Sequence, residues 1–227
     1  MKYIIAGAGK MARAVAYFLM KQKDTEKIFI FDSNQDALNY FKKIKKVKTI
    51  KKEFSKLKSL KTISKEADAV ISCLPYFCNL KLTELAIKAG FNFIDLGGNN
   101  NIVKAQHKLD KKVKSKKISI VPDCGLAPGL VSLLAAYFVN YFDKVKTIKI
   151  YVGGLPVFPK PPLNYTLVFS VSGLINEYKE DVIVLKNNKF TTVKSLTGLE
   201  KVKIEKENYE AFFTSGGIST MPRNFKN

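Results

Sequence analysis

Short apolar runs and amphipathic stretches alternate along the first 142 residues of the chain. The apolar runs predict six strands, at Lys2 to Ala6, Lys27 to Phe31, Val47 to Ile50, Ala69 to Leu74, Asn92 to Leu96 and Ile118 to Val121. Helical spacing of apolar residues predicts helices between and after them, at Lys10 to Lys21, Gln35 to Phe41, Ser55 to Lys65, Leu80 to Ala89, Ile102 to Lys114 and Leu130 to Phe142. This order predicts an α/β fold in which helices cover both faces of a parallel sheet.

The pattern changes near Asp143, where apolar runs become separated by turn residues. Two runs, Val145 to Val152 and Tyr165 to Val171, flank a stretch rich in glycine and proline and predict strands. A hairpin is expected around Asn187-Asn188, with strands at Val182 to Leu185 and Phe190 to Val193. The sequence therefore predicts a first domain over residues 1–144 and a smaller α+β domain over residues 145–227.

The charge of the chain is strongly positive, with 39 Lys and Arg against 19 Asp and Glu and a formal net charge of +20. Such a charge is typical either of a surface that binds polyanions or of a lysine-rich coat on an ordinary fold. Arginine is the preferred residue for bidentate phosphate and base contacts, yet Arg13 and Arg223 are the only arginines. We therefore expect no dedicated nucleic-acid partner.

Cysteine usage and the N-terminus indicate a cytoplasmic protein. Cys73, Cys78 and Cys124 form no CxxC pair, so neither a disulfide framework nor a metal site is expected. The apolar run after Met1 is too short for a signal peptide, and no stretch is long and apolar enough to cross a membrane.

A glycine-rich loop follows the first predicted strand. Gly7, Gly9 and Ala12 form a GxGxxA pattern. The first glycine permits a tight turn, the second lets the backbone approach a pyrophosphate, and the small Ala12 lets the next helix pack close to the strand. The N-terminus of that helix presents N–H groups to the phosphates. A strand before the loop and a helix after it favour dinucleotide binding.

An acid, Asp32, ends the second strand about 20 residues after the glycine loop. A carboxylate at this place accepts hydrogen bonds from the adenosine ribose and repels a 2′-phosphate, and Ser33 follows it rather than arginine. These features favour NAD over NADP. The alternative is that Asp32 merely caps the following helix.

Three later strand ends carry candidate functional residues, because ligands of an open parallel sheet bind at the carboxyl ends of its strands. Ser72 to Pro75 is expected to pass near the cofactor. Asp95 and Asp123 follow the next two strands and are candidates to orient or deprotonate an amine, with helix capping or turn formation as an equal alternative.

The sequence does not indicate that Cys124 and His107 form a catalytic pair. Cys124 has no evident histidine partner, and the only histidine, His107, lies in a lysine-rich helical stretch. A serine–histidine–aspartate hydrolase is therefore not expected.

At these residues the chain resembles the saccharopine dehydrogenase-like family and, within it, the L-lysine 6-dehydrogenase branch. The matching segments extend over essentially the whole chain, and two of them, DCGLAPG and YVGGLP, are much more specific than the glycine loop. They are AGAGKMARAVAYFL at Ala6 to Leu19, ISCLPYFCNLKLTELAIKAG at Ile71 to Gly90, DLGGNN at Asp95 to Asn100, VPDCGLAPG at Val121 to Gly129, YVGGLP at Tyr151 to Pro156 and PPLNYTLVFSVSGLINEY at Pro161 to Tyr178.

The resemblance implies an NAD(P)-dependent oxidoreductase that acts on the C–N bond of an amino acid of the saccharopine or L-lysine type, in a Rossmann fold joined to a domain for substrate binding and homodimer formation. Asp95 and Asp123 are then the expected catalytic residues. The expected cofactor-binding residues are Gly7, Gly9, Lys10, Met11, Asp32, Ser33, Leu74, Pro75 and Gly97.

Two further expectations concern the second domain, the first from the resemblance and the second from the residues themselves. The segment from Tyr165 to Glu177 is expected to close the substrate cleft as a strand, and the loop from Thr214 to Thr220 is expected to be functional. Related chains continue past this loop, so the second domain is expected to be incomplete. The alternative function is therefore a non-catalytic dinucleotide-binding protein.

Overall fold

The chain forms two structural units in the computed structural model, which describes residues 1–54, 66–162 and 164–225. Unit 1 comprises Met1–Gly97 and Asn101–Cys124, and unit 2 comprises Gly98–Asn100 and Gly125–Asn227. The units thus change over at Cys124 and Gly125, whereas the domain boundary after residue 144 remains a sequence-based prediction. The helix predicted at Ser55 to Lys65 lies outside the described residues.

Unit 1 is built on a six-stranded parallel sheet whose order is β3-β2-β1-β4-β5-β6. The strands are β1 (Lys2–Ala6), β2 (Lys27–Asp32), β3 (Val47–Lys51), β4 (Ala69–Ser72), β5 (Phe93–Asp95) and β6 (Ile120–Val121). The order reverses beside β1, as in doubly wound nucleotide-binding sheets. The predicted parallel α/β sheet is confirmed.

Alternating side chains of the central strands form the two faces of the core. On β1, Ile4 and Ala6 pack into one buried cluster with Phe93, whereas Ile5 packs into the other with Ile30. These side chains are essentially inaccessible to solvent. Burial of each large aliphatic or aromatic side chain contributes roughly 1.5–3 kcal/mol. Because both faces of these strands are buried, their sequences are continuous apolar runs.

The helices of unit 1 follow the sequence pattern with one correction. They are α1 (Lys10–Lys21), α2 (Gln35–Asn39), α3 (Asn79–Ala89), α4 (Asn100–His107, its first residue in unit 2) and α5 (Asp110–Ser115). A 3-10 turn, Tyr76–Cys78, precedes α3. The single helix predicted at Ile102 to Lys114 is wrong, because Leu109, with φ −88° and ψ 0°, leaves the helical conformation between α4 and α5.

Unit 2 has less regular structure. It contains α6 (Leu130–Val139), α7 (Val171–Lys179), the hairpin of β7 (Val182–Lys186) and β8 (Lys189–Val193), the hairpin of β9 (Glu200–Ile204) and β10 (Glu207–Ala211), and α8 (Met221–Asn224). The predicted hairpin is confirmed, and both Asn187 and Asn188 take positive φ angles, as its two-residue turn requires.

Two strand predictions in unit 2 are wrong. Residues 145–152 and 165–170 form no strand. An apolar run becomes a strand only where another strand pairs with it, and in the described part of unit 2 the pairing strands are the two hairpins. The segment expected to close a cleft as a strand instead ends in α7, which Ser170 caps through the N–H of Gly173 at 3.1 Å.

Candidate functional site

The glycine loop of unit 1 lies between β1 and α1. Gly7 has φ +101°, and a Cβ there would lie 3.0 Å from the carbonyl oxygen of Cys73. Gly9 is the N-terminal cap of α1, is exposed, and a Cβ there would meet no atom within 4 Å. The two glycines therefore have different tasks: Gly7 is needed for the fold of the turn, and Gly9 leaves open space at the helix N-terminus.

Asp32 ties the end of β2 to this loop. One carboxylate oxygen accepts a hydrogen bond from the N–H of Ala8 at 2.7 Å, and the other accepts one from the N–H of Asn34 at 2.8 Å. Asn34, not Asp32, caps α2 by accepting from the N–H groups of Asp36 and Ala37. The alternative role of Asp32 as a helix cap is therefore wrong, and its carboxylate lies at the glycine loop.

The chain leaving β4 completes the same edge of the sheet. The N–H of Cys73 donates to the carbonyl of Ala6 at 2.8 Å, and the side chain of Leu74 would lie 3.2 Å from a Cβ on Gly7. Leu74 and Pro75 are partly buried, so they form a wall beside the loop. Of the other expected cofactor residues, Lys10 and Ser33 are exposed and Met11 is partly buried.

This arrangement fits a dinucleotide. A helix N-terminus has N–H groups without carbonyl partners within the helix and carries the positive end of the helix dipole. The first turn of α1 contains no acidic residue that would oppose an anion, and the missing side chain of Gly9 leaves room for a pyrophosphate. A carboxylate beside the loop is the ribose ligand of such sites.

Asp95, the last residue of β5, is buried in unit 1 and bonds the chain that follows β5 and β6. Its side chain is 0% exposed, and it accepts hydrogen bonds from the side-chain amide of Gln106 at 2.6 Å, the N–H of Gly97 at 2.8 Å and the N–H of Asp123 at 3.4 Å. Burial raises the pKa of Asp95, and these hydrogen bonds offset part of that effect. Its carbonyl also accepts from the N–H of Cys124 at 2.8 Å. The side chain thus holds two loops together.

The partners of Asp95 extend into a buried polar row. The amide of Gln106 also donates to the hydroxyl of Thr83 at 2.8 Å, and that hydroxyl donates to the carbonyl of Asn79 at 2.9 Å. The hydroxyl of Ser72 donates to the side-chain oxygen of Asn79 at 2.9 Å. Sequence reasoning missed this row; the only available signal was the presence of polar residues at positions of α3 and α4 that face the sheet.

Cys124 and Asp123 follow β6. Asp123 takes φ +60°, an uncommon conformation for a residue other than glycine. Burial raises the pKa of the Cys124 thiol, and the charge of Asp95 raises it further. A raised pKa disfavours the thiolate that a nucleophilic cysteine requires. His107, the only histidine in the sequence, is exposed on α4.

In unit 2, the short segment Gly98–Asn100 is fastened to α7. The side-chain amide of Asn99 donates to Asn176 and to Glu180, both at 2.9 Å, and the amide of Asn176 donates to the carbonyl of Gly98 at 3.0 Å. Asn99 and Asn176 are 8% and 6% exposed. These bonds explain why the last three residues of the DLGGNN segment, Gly98–Asn100, belong to unit 2.

The loop from Thr214 to Thr220 packs against the same helix. The N–H of Ser215 donates to the carbonyl of Glu177 at 2.9 Å. A Cβ on Gly216 would lie 3.8 Å from the carbonyl oxygen of Gly98, and one on Gly217 would lie 3.9 Å from the Cβ of Ala127. The loop is therefore bonded to α7 and lies close to Gly98 and to Ala127, all within unit 2.

Tyr165, Glu177 and Tyr178 are partly buried residues of unit 2. A Cβ on Gly154 would lie 2.6 Å from the ring of Tyr165, so the glycine is needed for the ring to pack there. Burial, and then the charges of Tyr178 and Glu177, raise the pKa of Tyr165. Burial raises the pKa of Glu177 to about 7.

Neither a metal site nor a membrane span is evident in the described residues. No group of three or more His, Cys, Asp and Glu in the described ranges is placed to hold a metal ion. No helix among those residues is long and apolar enough to cross a membrane.

The sheet order, the glycine loop and the acid at the end of β2 define a Rossmann-type dinucleotide-binding protein. Comparison with known families is more specific. Residues 3–121 match the saccharopine dehydrogenase NADP binding domain, and residues 125–224 match the saccharopine dehydrogenase C-terminal domain. The chain belongs to the saccharopine dehydrogenase family, which confirms the family resemblance read from its motifs, while the L-lysine 6-dehydrogenase branch stays a prediction.

Individual relatives agree with this assignment. The chain is 29% identical over 205 residues to the mitochondrial alpha-aminoadipic semialdehyde synthase of Rattus norvegicus, a match over 85% of this chain and 21% of the relative. It is 27% identical over 132 residues to the saccharopine dehydrogenase [NADP(+), L-glutamate-forming] of Pyricularia oryzae, over 56% of this chain and 29% of the relative.

A solved structure shares the fold. The apo saccharopine dehydrogenase (L-Glu forming) of Saccharomyces cerevisiae superposes with a TM-score of 0.75 at 20% identity, over 98% of this chain and 51% of the other. The chain thus spans about half the length of that protein and about a fifth to a third of the two curated relatives above.

Proposed function

We propose that this chain binds a nicotinamide dinucleotide at the Gly7–Ala12 loop and acts as an oxidoreductase on the C–N bond of an amino acid. The observation that carries the proposal is the open space at Gly9 beside the carboxylate of Asp32. The bound dinucleotide supplies the hydride-accepting chemistry. The chain supplies the pyrophosphate cradle at α1, the ribose ligand at β2 and the wall of Leu74 and Pro75.

The test uses a substitution that separates binding from folding. Gly9→Ala adds one methyl group where nothing lies within 4 Å, so the protein folds normally. The methyl group occupies the approach of the pyrophosphate, and we expect the Kd for dinucleotide to rise at least tenfold in fluorescence titration. Gly153→Ala, whose Cβ would make ordinary contact at 3.6 Å with Leu155, is the matched control and keeps wild-type affinity. Unchanged affinity in Gly9→Ala would refute this site.

The preferred dinucleotide is proposed to be NAD. The support is Asp32, whose negative charge lies where a 2′-phosphate would have to bind. The description of the matching family model, which names NADP, favours the opposite choice. The two possibilities differ in one measurable ratio, the Kd for NADP divided by the Kd for NAD.

Asp32→Asn tests this preference. It removes the negative charge, and we expect the ratio of the two Kd values to fall at least tenfold. Asp36→Asn, an equal loss of charge on the exposed side of α2, is the control and leaves the ratio unchanged. The proposal for NAD is abandoned if the wild-type protein prefers NADP or if Asp32→Asn keeps the wild-type ratio.

The amino-acid substrate is proposed to be of the saccharopine or L-lysine type, following the family and the names of its relatives. Within unit 1 the buried position of Asp95 supports a role in positioning loops, while Asp123 is retained as a candidate catalytic residue. The measurement is NADH or NADPH production with L-lysine and with saccharopine.

A dinucleotide-binding protein without turnover is the second candidate. It is favoured by the apolar side chains that unit 2 exposes, such as Leu133 at 70% and Val157 at 87%. Tight dinucleotide binding with no turnover of either substrate supports this candidate; turnover of one substrate excludes it. The homodimer and the cytoplasmic location expected from the sequence stay predictions, and sedimentation velocity measures the first.

A further inference from the structure

The core on one face of the unit 1 sheet changes from apolar to polar at the carboxyl ends of the strands. Val70 on β4 and Phe93 on β5 pair in register and belong to one apolar cluster with side chains of α3. Two residues further along the same strands, Ser72 pairs with Asp95, and both are buried. Residues two apart on a strand lie on the same face. Polar groups therefore replace apolar ones at the edge where an open parallel sheet binds its ligands.

Gln106 joins the members of this buried polar row. Its side-chain nitrogen donates to the carboxylate of Asp95 at 2.6 Å and to the hydroxyl of Thr83 at 2.8 Å, so both hydrogens of the amide are used. Its side-chain oxygen is buried and has no hydrogen-bond partner among the described residues. A buried acceptor without a donor costs stability, and an apolar side chain of similar size would avoid that cost. Such a residue is more typical of a functional site than of a core that serves stability alone.

The row connects separate parts of the chain at the ligand edge. At one end, the hydroxyl of Ser72 donates to the side-chain oxygen of Asn79 at 2.9 Å, and the chain continues from Ser72 directly into the wall beside the glycine loop. At the other end, the carboxylate of Asp95 accepts from the N–H of Gly97 at 2.8 Å and from the N–H of Asp123 at 3.4 Å. One buried network in unit 1 thus holds the loops that follow β4, β5 and β6.

The order of the sheet relates these three loops to one half of the dinucleotide. The pyrophosphate binds after β1, and the carboxylate of Asp32 after β2 takes the adenosine ribose, so the adenosine half extends over β2 and β3. The other half then extends to the opposite side of β1, where β4, β5 and β6 follow one another. The loops held by the polar row are therefore those beside the nicotinamide half of the dinucleotide.

We propose that Gln106 is a positioning residue for the nicotinamide half of the dinucleotide. One amide fixes Asp95 and Thr83, and through them the loops after β4, β5 and β6, so that these loops are in place before the dinucleotide binds. Loops that are already ordered lose less conformational entropy on binding, which raises affinity. Gln106 itself is buried and acts through its partners. The inference rests on the proposed function, because it requires a dinucleotide at the Gly7–Ala12 loop.

The experiment compares two probes that differ by the nicotinamide ring, ADP-ribose and NADH, in calorimetric titrations of the full chain. Gln106→Met keeps a side chain of similar size but removes the donor. We expect its Kd for NADH to rise at least fivefold and its Kd for ADP-ribose to change less than twofold, because ADP-ribose lacks the ring that the positioned loops hold. If the wild-type protein prefers NADP, the 2′-phosphorylated forms of both probes are used.

A double variant tests the hydrogen bond itself. Asp95→Asn combined with Gln106→Glu exchanges donor and acceptor between the two side chains and leaves the net charge unchanged. The oxygen of the new asparagine still accepts from the two backbone N–H groups, so we expect the double variant to recover most of the affinity for NADH. Gln106→Glu alone places two buried carboxylates side by side and is expected to bind NADH more weakly than the double variant.

Controls separate positioning from stability and from the proposed function. Val103→Ala truncates a buried apolar residue of the same helix; it should lower thermal stability but keep the ratio of the Kd for ADP-ribose to that for NADH. If Gln106→Met no longer binds ADP-ribose, the ratio is measured in Ser72→Ala, which removes only the hydroxyl at the other end of the row. Failure of the wild-type protein to bind either probe overturns the proposed function. Equal wild-type affinity for both probes, or a wild-type ratio in the row variant, overturns the positioning role.

Discussion

Asp95 in unit 1 and Glu177 in unit 2 are acids in contrasting environments. Asp95 in unit 1 is fully buried and accepts three hydrogen bonds, so its negative charge serves the fold. Glu177 in unit 2 is partly buried, and the structure shows no hydrogen bond or ion pair for its carboxylate among the described residues. An acid with internal donors stabilises local structure, whereas an acid without them remains available for a ligand.

The burial of apolar side chains also differs between the two units. Among the described residues, the buried apolar side chains belong mostly to unit 1, with Pro128, Val182, Met221 and Pro222 as the members from unit 2. Helix α6 has no buried residue, and Leu133 and Phe138 on it are 70% and 54% exposed. Unit 1 is therefore stabilised by its own core, and substitutions should cost much more there than in unit 2.

The largest effect is expected at Asp95. Asp95→Ala removes the acceptor of Gln106, Gly97 and Asp123 and leaves buried donors without a partner, which costs roughly 1–3 kcal/mol for each unpaired group. We expect a loss of about 3 kcal/mol in the free energy of unfolding of unit 1, measured by urea denaturation and by amide exchange in β5. Asp143→Ala, an equal change of charge at an exposed residue, is the control. Similar stabilities of the two variants would show that the network around Asp95 contributes little.

The next effect is expected at Gly7. Gly7→Ala places a Cβ 3.0 Å from the carbonyl oxygen of Cys73 in a backbone conformation with φ +101°. Such strain costs on the order of 1–3 kcal/mol, so thermal denaturation should show a loss of stability together with lost dinucleotide binding. Gly9→Ala in the same loop loses binding alone. Equal stability of the two variants would contradict the division of tasks between the glycines.

The pattern of side chains predicted most of unit 1, because its signals are local. Two apolar faces on each strand and a GxGxxA loop after β1 are readable from neighbouring residues, and Asp32 lies at a fixed distance from that loop. The Asp95 network was not readable, because Gln106 reaches it from a separate helix. The same holds for Glu177, since the sequence alone does not reveal which donors surround a carboxylate.

Unit 2 was harder to predict for a related reason. The runs at residues 145–152 and 165–171 have the composition of strands, but strand formation depends on a partner that composition does not specify. The hairpin of β7 and β8 was predictable because Asn187 and Asn188 encode its turn. The hairpin of β9 and β10 was missed, since its turn at Glu205 has φ +54° without an asparagine or glycine.

A smaller effect, a gain in stability rather than a loss, is expected for Glu177→Gln at pH 8. Because burial raises the pKa of Glu177 from 4.5 to about 7, the folded state favours the protonated acid, and this contribution to stability is lost as the pH rises from about 4.5 through 7. Glu177→Gln should therefore be more stable than wild type at pH 8, by about 1 kcal/mol after allowance for solvent screening, and similar at pH 5. Thermal denaturation at both pH values measures this, with Glu207→Gln as control. A destabilised Glu177→Gln at pH 8 would indicate an internal partner for the carboxylate.

The smallest effect is expected on helix α6 and tests the contrast between the units most directly. Leu133→Ala removes a side chain that is 70% exposed, so we expect the free energy of unfolding to change by less than about 0.5 kcal/mol. The matched substitution Leu82→Ala, at a residue of α3 that is 1% exposed in the unit 1 core, should cost about 2–5 kcal/mol. Urea denaturation of both variants at several protein concentrations gives the comparison. A large cost for Leu133→Ala that grows with protein concentration would mean that a second copy covers α6 in solution. The small cost expected for substitutions in unit 2 would then apply to the isolated chain alone.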